Sequence, residues 1–543
     1  MQEGHGDWRV KTFNTTGICV PEKHYMVDLT ERLREIKAMV DAGQYFTINR
    51  ARQYGKTTTL SALRKYLAPQ YEVIRLDFQG IGNAGFQTER SFVQSFARML
   101  LDARDLSKLC MPEAVAEDLQ ALSPQGTGEP NLMELFRTLR RWCAASDKPL
   151  VLMIDEVDSA TNNQVFLDFL AQLRDGYISR DDLGAPAFQS VILAGVTDVK
   201  NLRRKLRPEE QHKFNSPWNI AADFLVDMSL SAEGICGMLE EYEADHASGM
   251  DTAAIAREIR AYTDGYPYLV SRICQLIDTQ IAGKSSRFAT LGDAWTITGV
   301  AEAVRRMLLE RNTLFDSLMG KVQSNPELSA LLERILFGGE RVSYSLYSLP
   351  VMDGEMYGFI RRTDDGALAI DNRIFETLLY DYYLGLNELK ALPVFRFGSN
   401  NRETFIRDDR LDMEALLTRF ITVFQDIYGD QDETFSEAEG RRRFLLFLRP
   451  VINGTGNYYI EAQTRSSERM DLVIDYLGER SVVELKLWRG QAYHEKGERQ
   501  LAEYLDSYHL TRGYLLTYNF NKNKQIGLRH VTVEGKEIVE AMV

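Results

Sequence analysis

The sequence has few cysteines and prolines and no long apolar run. Its 543 residues include 5 Cys and 14 Pro, and no two cysteines form a CxxC pair. The cysteines therefore indicate free thiols, and they argue against a disulfide framework or a zinc site. No stretch of about 18 apolar residues occurs, so we expect no membrane-spanning helix. The polar start, Met1–Val10, lacks the apolar core of a signal peptide, and we expect a cytoplasmic protein without membrane contact.

The composition that remains is that of a globular protein of several domains. Hydrophobic residues make up 44% and charged residues 26%, which excludes a disordered or collagen-like chain. The length predicts three or four domains. The net charge of −14 argues against a general nucleic-acid coat. From Ala391 onward, 21 Lys/Arg face 24 Asp/Glu, so this nearly neutral part is the better candidate for nucleic-acid binding.

The first 230 residues alternate apolar runs of strand length with helical patterns, which predicts a doubly wound α/β domain. The predicted strands show little polar alternation, as in a parallel sheet that is covered on both faces. They are Tyr45–Asn49, Glu72–Phe78, Leu150–Asp155 and Ser190–Val196. Predicted helices between them include Thr57–Leu67, Ser91–Leu101 and Leu132–Ala145.

Residues 231–390 are predicted to be mainly helical and to end in a winged helix. Strands at Tyr357–Ile360 and Leu368–Asn372 would flank the turn Thr363–Gly366, and a helix over Phe375–Leu384 would follow. We expect a linker at 391–410. Residues 411–543 are predicted to form an α+β domain with two helices, a strand pair, another helix and further short strands.

A phosphate-binding loop is predicted where the first strand leads into the first helix of the α/β domain. Residues 48–60 read INRARQYGKTTTL. Backbone N–H groups at a helix start bind anions, Lys56 would neutralise the β/γ-phosphates of ATP, and the Thr57 hydroxyl would ligate Mg²⁺. Arg50 stands where the full motif has its first glycine, which is a departure from the pattern. The predicted nucleotide-binding residues are Arg52, Gln53, Tyr54, Gly55, Lys56, Thr57 and Thr58.

An acidic pair is predicted at the edge of the same sheet. Residues 149–158 read PLVLMIDEVD, a buried strand that ends in Asp155 and Glu156. Asp155 would hold Mg²⁺ through water, and Glu156 would polarise the attacking water. The alternative is an acidic surface turn after an edge strand.

Residues 14–230 resemble a bacterial AAA-ATPase-like family that is related to archaeal-type ATPases and to signal-transduction ATPases with numerous domains. The resemblance is carried by GICVPEKHY at 17–25, by RQYGKTT, LMIDEVD and SVILAGVTD, and by SPWNI at 216–220. It implies that an arginine can replace the first glycine of the loop.

The same resemblance implies further roles, and each has a structural alternative. Thr197 or Asp198 would sense the γ-phosphate, or would cap the next helix. The TDGYP turn at 263–267 would approach the adenine, or would only join two helices. Arg203, Arg204 and Arg207 would reach a neighbouring subunit of a homo-oligomer, or would form a solvated helix face.

A second catalytic constellation is predicted near the C-terminus, where RMDLVI at 469–474 and VVELKL at 482–487 flank a turn at Leu477–Arg480. Glu484 and Lys486 are two positions apart and share a strand face. Carboxylates of Asp471 and Glu484 would bind Mg²⁺ or Mn²⁺, and Lys486 would stabilise negative charge on the scissile phosphate. Gln500 and Tyr504 would share a face of the following helix.

This arrangement resembles the PD-(D/E)XK nuclease superfamily over roughly residues 410–520. The resemblance implies a restriction-endonuclease-like fold with Asp471, Glu484 and Lys486 as the catalytic set and with Gln500 on the Gln-xxx-Tyr helix. It also implies a glutamate on the preceding helix, for which Glu439 is the candidate metal ligand. The alternative for Glu439 is a helix capping box that begins at Ser436.

Together these features predict a multidomain α/β protein: a P-loop NTPase domain with a parallel sheet, a helical lid with a winged helix, and the nuclease-like domain. The leading hypothesis is an ATP-binding, metal-dependent nuclease that acts on nucleic acid, DNA before RNA. Defence against foreign DNA is a role that such a layout suggests. The alternative is an ATP-dependent switch whose nuclease-like domain binds nucleic acid or a partner without cleaving.

Overall fold

The computed structural model describes most of the chain, in two compact units. The described residues are 11–124, 126, 128–161, 163–197, 199, 217–337, 342–388, 402–408, 410–428, 435–452, 456–459, 472–507, 510–521 and 523–543. One unit comprises Met1–Leu230 together with Tyr266–Tyr268, and the other comprises Ser231–Gly265 with Leu269–Val543. The boundary at Leu230 coincides with the predicted end of the α/β domain. None of the described helices is both long and apolar enough to cross a membrane.

The first unit is built on a parallel sheet of four strands in the order β1-β4-β3-β2. The strands are β1 Phe46–Asn49, β2 Glu72–Asp77, β3 Leu150–Asp155 and β4 Ser190–Gly195. Every residue of β3 and β4 is buried. Alternate side chains of the sheet enter two separate apolar clusters, one on each face. A sheet covered on both faces needs such unbroken apolar strands, and all four therefore lie within one residue of their predicted bounds at each end.

Helices surround this sheet. They are α1 Thr30–Asp41, α2 Lys56–Leu67, the short α3 Gly82–Gly85, α4 Glu89–Ser107, α5 Glu113–Leu122, α6 Leu132–Ala145 and α7 Gln164–Leu183. Helix α4 begins before the predicted Ser91 because Thr88 and Ser91 form a capping box at its start, and it also continues beyond the predicted end at Leu101 to Ser107.

The second unit begins with a helical region. Its helices are α8 Ala232–His246, α9 Thr252–Thr263, α10 Pro267–Leu276, α11 Leu291–Ala294, α12 Ile297–Leu309, α13 Thr313–Ser324, α14 Pro326–Phe337, α15 Leu349–Met356 and α16 Arg373–Glu388. Helix α10 starts inside the Tyr266–Tyr268 segment that belongs to the first unit.

The hairpin of the predicted winged helix is present, but its first strand begins later than predicted. Strand β5 spans Ile360–Arg362 and pairs with β6 Leu368–Ile370. Helix α15 occupies the residues before it, and Gly358, with a φ of +77°, terminates that helix. The N–H groups of Gly358 and Phe359 bond back to the last turn of α15, so the strand begins after them. Phe359 takes part in the hairpin through its carbonyl alone, which accepts the Asp371 N–H at 2.8 Å.

The C-terminal part contains a mixed six-stranded sheet in the order β13-β14-β12-β11-β10-β9. Its strands are β9 Gly456–Tyr459, β10 Leu472–Tyr476, β11 Glu479–Leu487, β12 Arg512–Tyr518, β13 Gly527–Val533 and β14 Lys536–Met542. Strands β11, β12 and β14 are parallel, and the other pairings are antiparallel. Before the sheet come a small hairpin, β7 Ile406–Arg407 with β8 Arg410–Leu411, and two helices, α17 Met413–Tyr428 and α18 Glu437–Ile452. Helix α19 Gln491–Ser507 joins β11 to β12.

Three details of this part differ from the predictions. The predicted linker at 391–410 contains the start of the β7–β8 hairpin. The predicted strand pair is a meander of three strands, because β9 was too short and polar to recognise. The predicted turn at Leu477–Arg480 is only two residues long: Leu477 and Gly478 have φ of +52° and +82°, which suits a tight hairpin turn, and Glu479 already belongs to β11.

Candidate functional site

The phosphate loop lies between the buried strand β1 and the start of α2, as predicted. Gly55 precedes the helix with a φ of +80°, a conformation that a residue with a side chain rarely adopts. No side chain caps the start of α2 among the described residues. The first N–H groups of this helix are therefore available to an anion.

The Lys56 amine lies inside the loop. The residue is 6% exposed, and its Nζ donates to the carbonyl oxygens of Arg50 at 2.9 Å and of Ala51 at 3.0 Å. These two bonds leave one of the three ammonium donors for a ligand. Burial lowers the pKa of Lys56, and the nearby carboxylates of Glu156, Asp158 and Asp155 oppose that shift.

Arg50 fills the position of the missing glycine without occupying the loop. Its guanidinium lies 5.4 Å from the centre of the Phe224 ring and donates to the Val226 carbonyl at 3.0 Å. A further bond joins it to the carbonyl of Asn49 at 2.9 Å. Because the side chain points to the 224–226 segment, this departure from the glycine pattern leaves the phosphate-facing backbone in place.

Two other segments hold the loop from outside. The Tyr266 hydroxyl donates to the Arg52 carbonyl, and the Tyr266 ring packs edge-on against Tyr54 with the ring centres 4.7 Å apart. On the helix side, the Thr58 hydroxyl accepts a hydrogen bond from the Cys19 N–H at 3.2 Å. Thr58 thus contacts the N-terminal segment, whose importance the resemblance at residues 17–25 had indicated.

The remaining predicted loop residues lie where a nucleotide could meet them. Arg52 and Gln53 are exposed, and Gln53 has a φ of +55°. Thr57 is the second residue of α2 and is half-buried. It follows Lys56 directly, so its hydroxyl belongs to the first turn of the helix that begins at the loop.

The acidic pair lies at the C-terminal end of β3. Asp155 is fully buried; its Oδ1 accepts the Glu156 N–H at 3.0 Å, and its Oδ2 lies 3.5 Å from Nη2 of Arg75. Oδ2 has no hydrogen-bond partner within the described part of the chain. An acceptor that is buried in this way fits a cation or an ordered water.

Glu156 follows in a left-handed backbone conformation, with a φ of +53°. Burial raises the pKa of its carboxyl group, Lys56 opposes the shift, and Asp155 and Asp158 add to it. Lys56 and Glu156 therefore shift each other's pKa through their opposite charges.

Asp158 also lies at this edge of the sheet, although the sequence pattern predicted no role for it. Its carboxylate accepts the N–H groups of Val196 and Thr197, each at 2.7 Å, and so joins the ends of β3 and β4. This brings Thr197, one of the two sensor candidates, to the edge that carries Asp155. The signal was the third acidic residue in DEVD. Asp198, Arg203, Arg204 and Arg207 lie outside the described residues.

The second constellation lies on β11. Glu484 is 2% exposed, and Nζ of Lys486 lies 2.8 Å from its Oε1. The apolar alternation of this strand predicts that Val483, Leu485 and Leu487 point into a core; Val483 and Leu485 are fully buried, whereas Leu487 is half-buried. Asp471 lies outside the described residues; Leu472, which follows it, pairs with Val483.

Helix α19 covers the strand face that carries Glu484 and Lys486. A Cβ atom placed on Gly497 would lie 3.5 Å from Cε and Cγ of Lys486. Gln500 and Tyr504 are one and two helical turns further along, on the same face as Gly497. The half-buried Gln500 is thus on the side of α19 that meets Lys486.

Two glutamates stand at the start of α18, and they differ in what they contact. Glu439 accepts from Arg443 at 2.9 Å, and its N–H bonds to Oγ of Ser436 at 3.1 Å, which is one of the two bonds of the predicted capping box. Glu437 instead accepts the Leu487 N–H at 3.1 Å and the Tyr493 hydroxyl at 3.4 Å. Glu437, which the sequence argument passed over, therefore lies at the end of β11.

Comparison with known proteins bears on the first of these two sites. Residues 22–370 match the profile of a family described as an AAA-like domain. No curated protein matches the chain.

Solved structures with a similar chain path include two ORC proteins and a RuvB mutant. For ORC2 of Aeropyrum pernix in ADPNP–ADP complexes the identity is 11%, with 70% of this chain and 98% of that chain covered and a TM-score of 0.36. For ORC1 of the same organism, in complex with DNA, the identity is 11%, 67% of this chain and 94% of that chain are covered, and the TM-score is 0.27. For a RuvB mutant of Thermotoga maritima the identity is 12%, 64% of this chain and 93% of that chain are covered, and the TM-score is 0.30.

Proposed function

Because the chain belongs to the family of AAA-like domains, we propose that its first unit binds ATP with Mg²⁺ and hydrolyses it. The observation that carries this proposal is the Lys56 amine, which is held by loop carbonyls at an uncapped helix start and lies within electrostatic reach of Glu156. Magnesium would supply charge neutralisation for the phosphates. Thr57 and Asp155 would hold it, and Oδ2 of Asp155, which has no hydrogen-bond partner in the described part of the chain, fits that role.

The other residues of the first unit would bind and orient. Backbone N–H groups of Arg52–Thr58 would contact the phosphates, Glu156 would orient the attacking water, and Thr197 would contact the γ-phosphate.

Lys56→Ala and Glu156→Gln separate binding from hydrolysis. Lys56→Ala should lose nucleotide binding in calorimetry, since nothing replaces its charge in the loop. Glu156→Gln should bind ATP normally and release phosphate slowly, because only the water-orienting carboxylate changes. Equal ATP affinity of the wild type and Lys56→Ala would disprove the phosphate-loop assignment.

For the C-terminal part, we propose a metal-dependent nuclease that cleaves nucleic acid, DNA in preference to RNA, and that the ATPase unit regulates or powers. The support is the Glu484–Lys486 pair on β11 beneath the Gln500 face of α19. The last described pair of the β10–β11 ladder is Leu472 with Val483, and the next residues in sequence are Asp471 and Glu484. The proposal takes these two carboxylates as ligands of Mg²⁺ or Mn²⁺, and takes Glu437 or Glu439 as a third acidic group.

The burial of Glu484 favours a second candidate, a switch protein that uses this domain to bind without cleaving. A carboxylate that is 2% exposed and paired with a lysine is also what a purely structural ion pair looks like. The two candidates differ in whether catalysis requires Glu484.

Incubation with linear, circular and single-stranded DNA and with RNA, with and without Mg²⁺, Mn²⁺ and ATP, tests both candidates. Under the nuclease proposal, Asp471→Asn and Glu484→Gln should abolish cleavage, and Lys486→Ala should bind metal but lose most of the rate. Glu479→Gln, in the half-exposed first position of β11, is the matched control and should cleave like the wild type. Cleavage that persists in Glu484→Gln would contradict the site, and no cleavage under any condition would favour the switch.

A further inference from the structure

A histidine and two glutamates meet beneath α19. His494 and Glu498 are one turn apart on this helix, and Glu540 belongs to β14. Nε2 of His494 lies 2.8 Å from Oε1 of Glu540 and 3.5 Å from Oε1 of Glu498. One ligand atom from each residue lies within 4.8 Å of the other two. His494 and Glu540 are each 3% exposed, so the cluster is buried.

The two glutamates of this cluster interact closely: burial and the hydrogen bond to Glu540 raise the pKa of Glu498 to about 7, and His494 and Arg529 oppose that shift. Nδ1 of His494 has no hydrogen-bond partner among the described residues, and a proton there would be buried without an acceptor. Nε2 faces Glu540 and Glu498, so it is the ring nitrogen through which His494 would bind an ion. The positive charge that pairs with the two carboxylates in the described part of the chain is Arg529, at 2.6 Å from Glu540 and 4.0 Å from Glu498. Two carboxylates in one largely buried cluster repel each other, and a bound cation removes that repulsion.

The donor set selects the kind of cation. One imidazole nitrogen with two carboxylate oxygens is a set that suits Zn²⁺ and Mn²⁺, whereas Ca²⁺ and Mg²⁺ prefer oxygen ligands alone. Around a tetrahedral ion with bonds of about 2.0–2.1 Å, ligand atoms are about 3.4 Å apart. Nε2 of His494 and Oε1 of Glu498 are already close to this separation, at 3.5 Å. The distance between Nε2 of His494 and Oε1 of Glu540 would have to increase from 2.8 Å.

The surroundings orient these ligands. Arg529 donates to Oε2 of Glu540 and so keeps that oxygen away from the imidazole, which leaves Oε1 for the ion. The Trp488 ring packs against the His494 ring with the centres 5.0 Å apart, and it shields the cluster from water. Hydrogen-bonded carboxylates and an apolar cover are what a metal site needs outside its ligands.

We propose that His494, Glu498 and Glu540 bind one transition-metal dication of the Zn²⁺ or Mn²⁺ class. A proton that the cluster carries is released to solvent when the ion binds. The site is separate from Glu484, since Glu484, Leu515 and Glu540 form one row across β11, β12 and β14, two strand spacings or about 10 Å apart. The ion joins β14 to α19, the helix that carries Gly497 and Gln500 over Lys486.

Metal titration of the full-length protein after treatment with a chelator tests this site. Zn²⁺, Mn²⁺, Mg²⁺ and Ca²⁺ are added separately, and binding is followed by calorimetry and by the shift in thermal unfolding. We expect the wild type and Glu484→Gln to bind one equivalent of Zn²⁺. His494→Ala and Glu498→Gln should each lower the Zn²⁺ affinity by more than about 100-fold, since the loss of outer partners alone costs about 10–100-fold.

His530→Ala is the matched control. His530 also contacts two glutamates, Glu537 at 3.2 Å and Glu414 at 3.5 Å, but it is half-exposed. This variant should bind Zn²⁺ like the wild type. Co²⁺ provides a second readout: the wild type should show visible absorption bands of a low-symmetry N/O site, and Glu498→Gln should not.

Three results would overturn the proposal. They are a chelator-treated wild type that takes up no Zn²⁺, His494→Ala and Glu498→Gln with wild-type affinity, or Mg²⁺ binding at this cluster as tightly as Zn²⁺. If His494→Ala fails to fold, Glu498→Gln decides, because its side chain lies at the more accessible side of the cluster, 13% exposed.

Discussion

Arg50 shows how a single side chain lets the loop depart from the glycine-rich pattern. A glycine in this place permits close approach of the backbone to phosphate, but only the backbone is needed for that contact. The Arg50 side chain turns to Phe224 and Val226, so it contributes to the stability of the first unit instead of contacting the ligand site.

Arg50→Ala should therefore reduce stability and leave ATP affinity unchanged. Loss of the contact with the Phe224 ring and of the bond to the Val226 carbonyl should cost about 1–2 kcal/mol in the free energy of unfolding. Urea denaturation measures the first effect and calorimetry the second. An ATP affinity that falls as far as in Lys56→Ala would identify Arg50 as a ligand of the nucleotide.

Glu437 and Glu439 differ by two positions in sequence, but only Glu437 contacts the end of β11, whereas Glu439 pairs with Arg443. Glu437→Gln should reduce cleavage while the fold is retained, because the amide oxygen can still accept the Leu487 N–H. Glu439→Gln should lose only a partly exposed pair with Arg443, which is worth about 1 kcal/mol or less. Cleavage assays at matched Mn²⁺ concentrations separate the two, and the opposite order of effects would restore Glu439 as the acidic group of the site.

Helix α18 packs on the C-terminal sheet through a glycine. A Cβ atom on Gly440 would lie 2.5 Å from Cε2 of Tyr518, and the Tyr518 hydroxyl donates to the Gly440 carbonyl at 2.8 Å. Tyr518 is 1% exposed, so its ring has little room to move. The close approach fixes how far α18 lies from β12.

Gly440→Ala should consequently destabilise the protein by about 1–3 kcal/mol, the usual effect of overpacking. Gly320→Ala is the matched control: Gly320 lies in α13, and an added Cβ would meet nothing within 4 Å. There the same substitution should stabilise by about 0.5–1 kcal/mol, because glycine weakens a helix interior. Equal losses in both variants, measured by urea unfolding, would exclude the Tyr518 contact as the cause.

The elements that carry the two sites could be predicted, because local pattern determines them. Leu150–Asp155 is an unbroken apolar run, and its strand has the predicted bounds. The helix after the phosphate loop starts one residue earlier than predicted, since Gly55 alone sets its beginning. The family match confirms the AAA-like domain, and it ends at residue 370, before the predicted nuclease domain.

Contacts between distant residues could not be predicted in the same way. The direction of Arg50 depends on a carbonyl 176 positions away, and the His494 cluster depends on Glu540, 46 positions away on another strand. Glu437 and Glu439 both fit a helix start that follows Ser436, and only the packing of α18 on β11 distinguishes them. Such pairings follow from the tertiary arrangement, which a local pattern does not contain.

The whole chain folds as two units, and the first of them is not continuous in sequence. The chain leaves this unit after Leu230 and returns to it for Tyr266–Tyr268 alone. Tyr266 then bonds to the Arg52 carbonyl and packs on Tyr54, so three residues from far along the chain complete the support of the phosphate loop.

Tyr266→Phe should weaken ATP binding by about 2–10-fold, which corresponds to a hydrogen bond of about 0.5–1.5 kcal/mol that holds the loop. Tyr71→Phe is the control, since it removes a hydroxyl of the same unit that bonds to Asp41 at 2.6 Å and not to the loop. Calorimetry should show wild-type ATP affinity for this control. Identical affinities of all three proteins would mean that the Tyr266 bond is irrelevant to nucleotide binding.

The return of the chain at Tyr266 also bears on the order of events during synthesis. Domains generally fold as units from the N-terminus while the chain emerges from the ribosome. Here the first 230 residues can form their sheet early, but the phosphate loop acquires its outer support only after the helices α8 and α9 have been translated. A nascent chain should therefore acquire its full ATP affinity late, and a fragment that ends at Leu230 should bind the nucleotide more weakly than the whole protein.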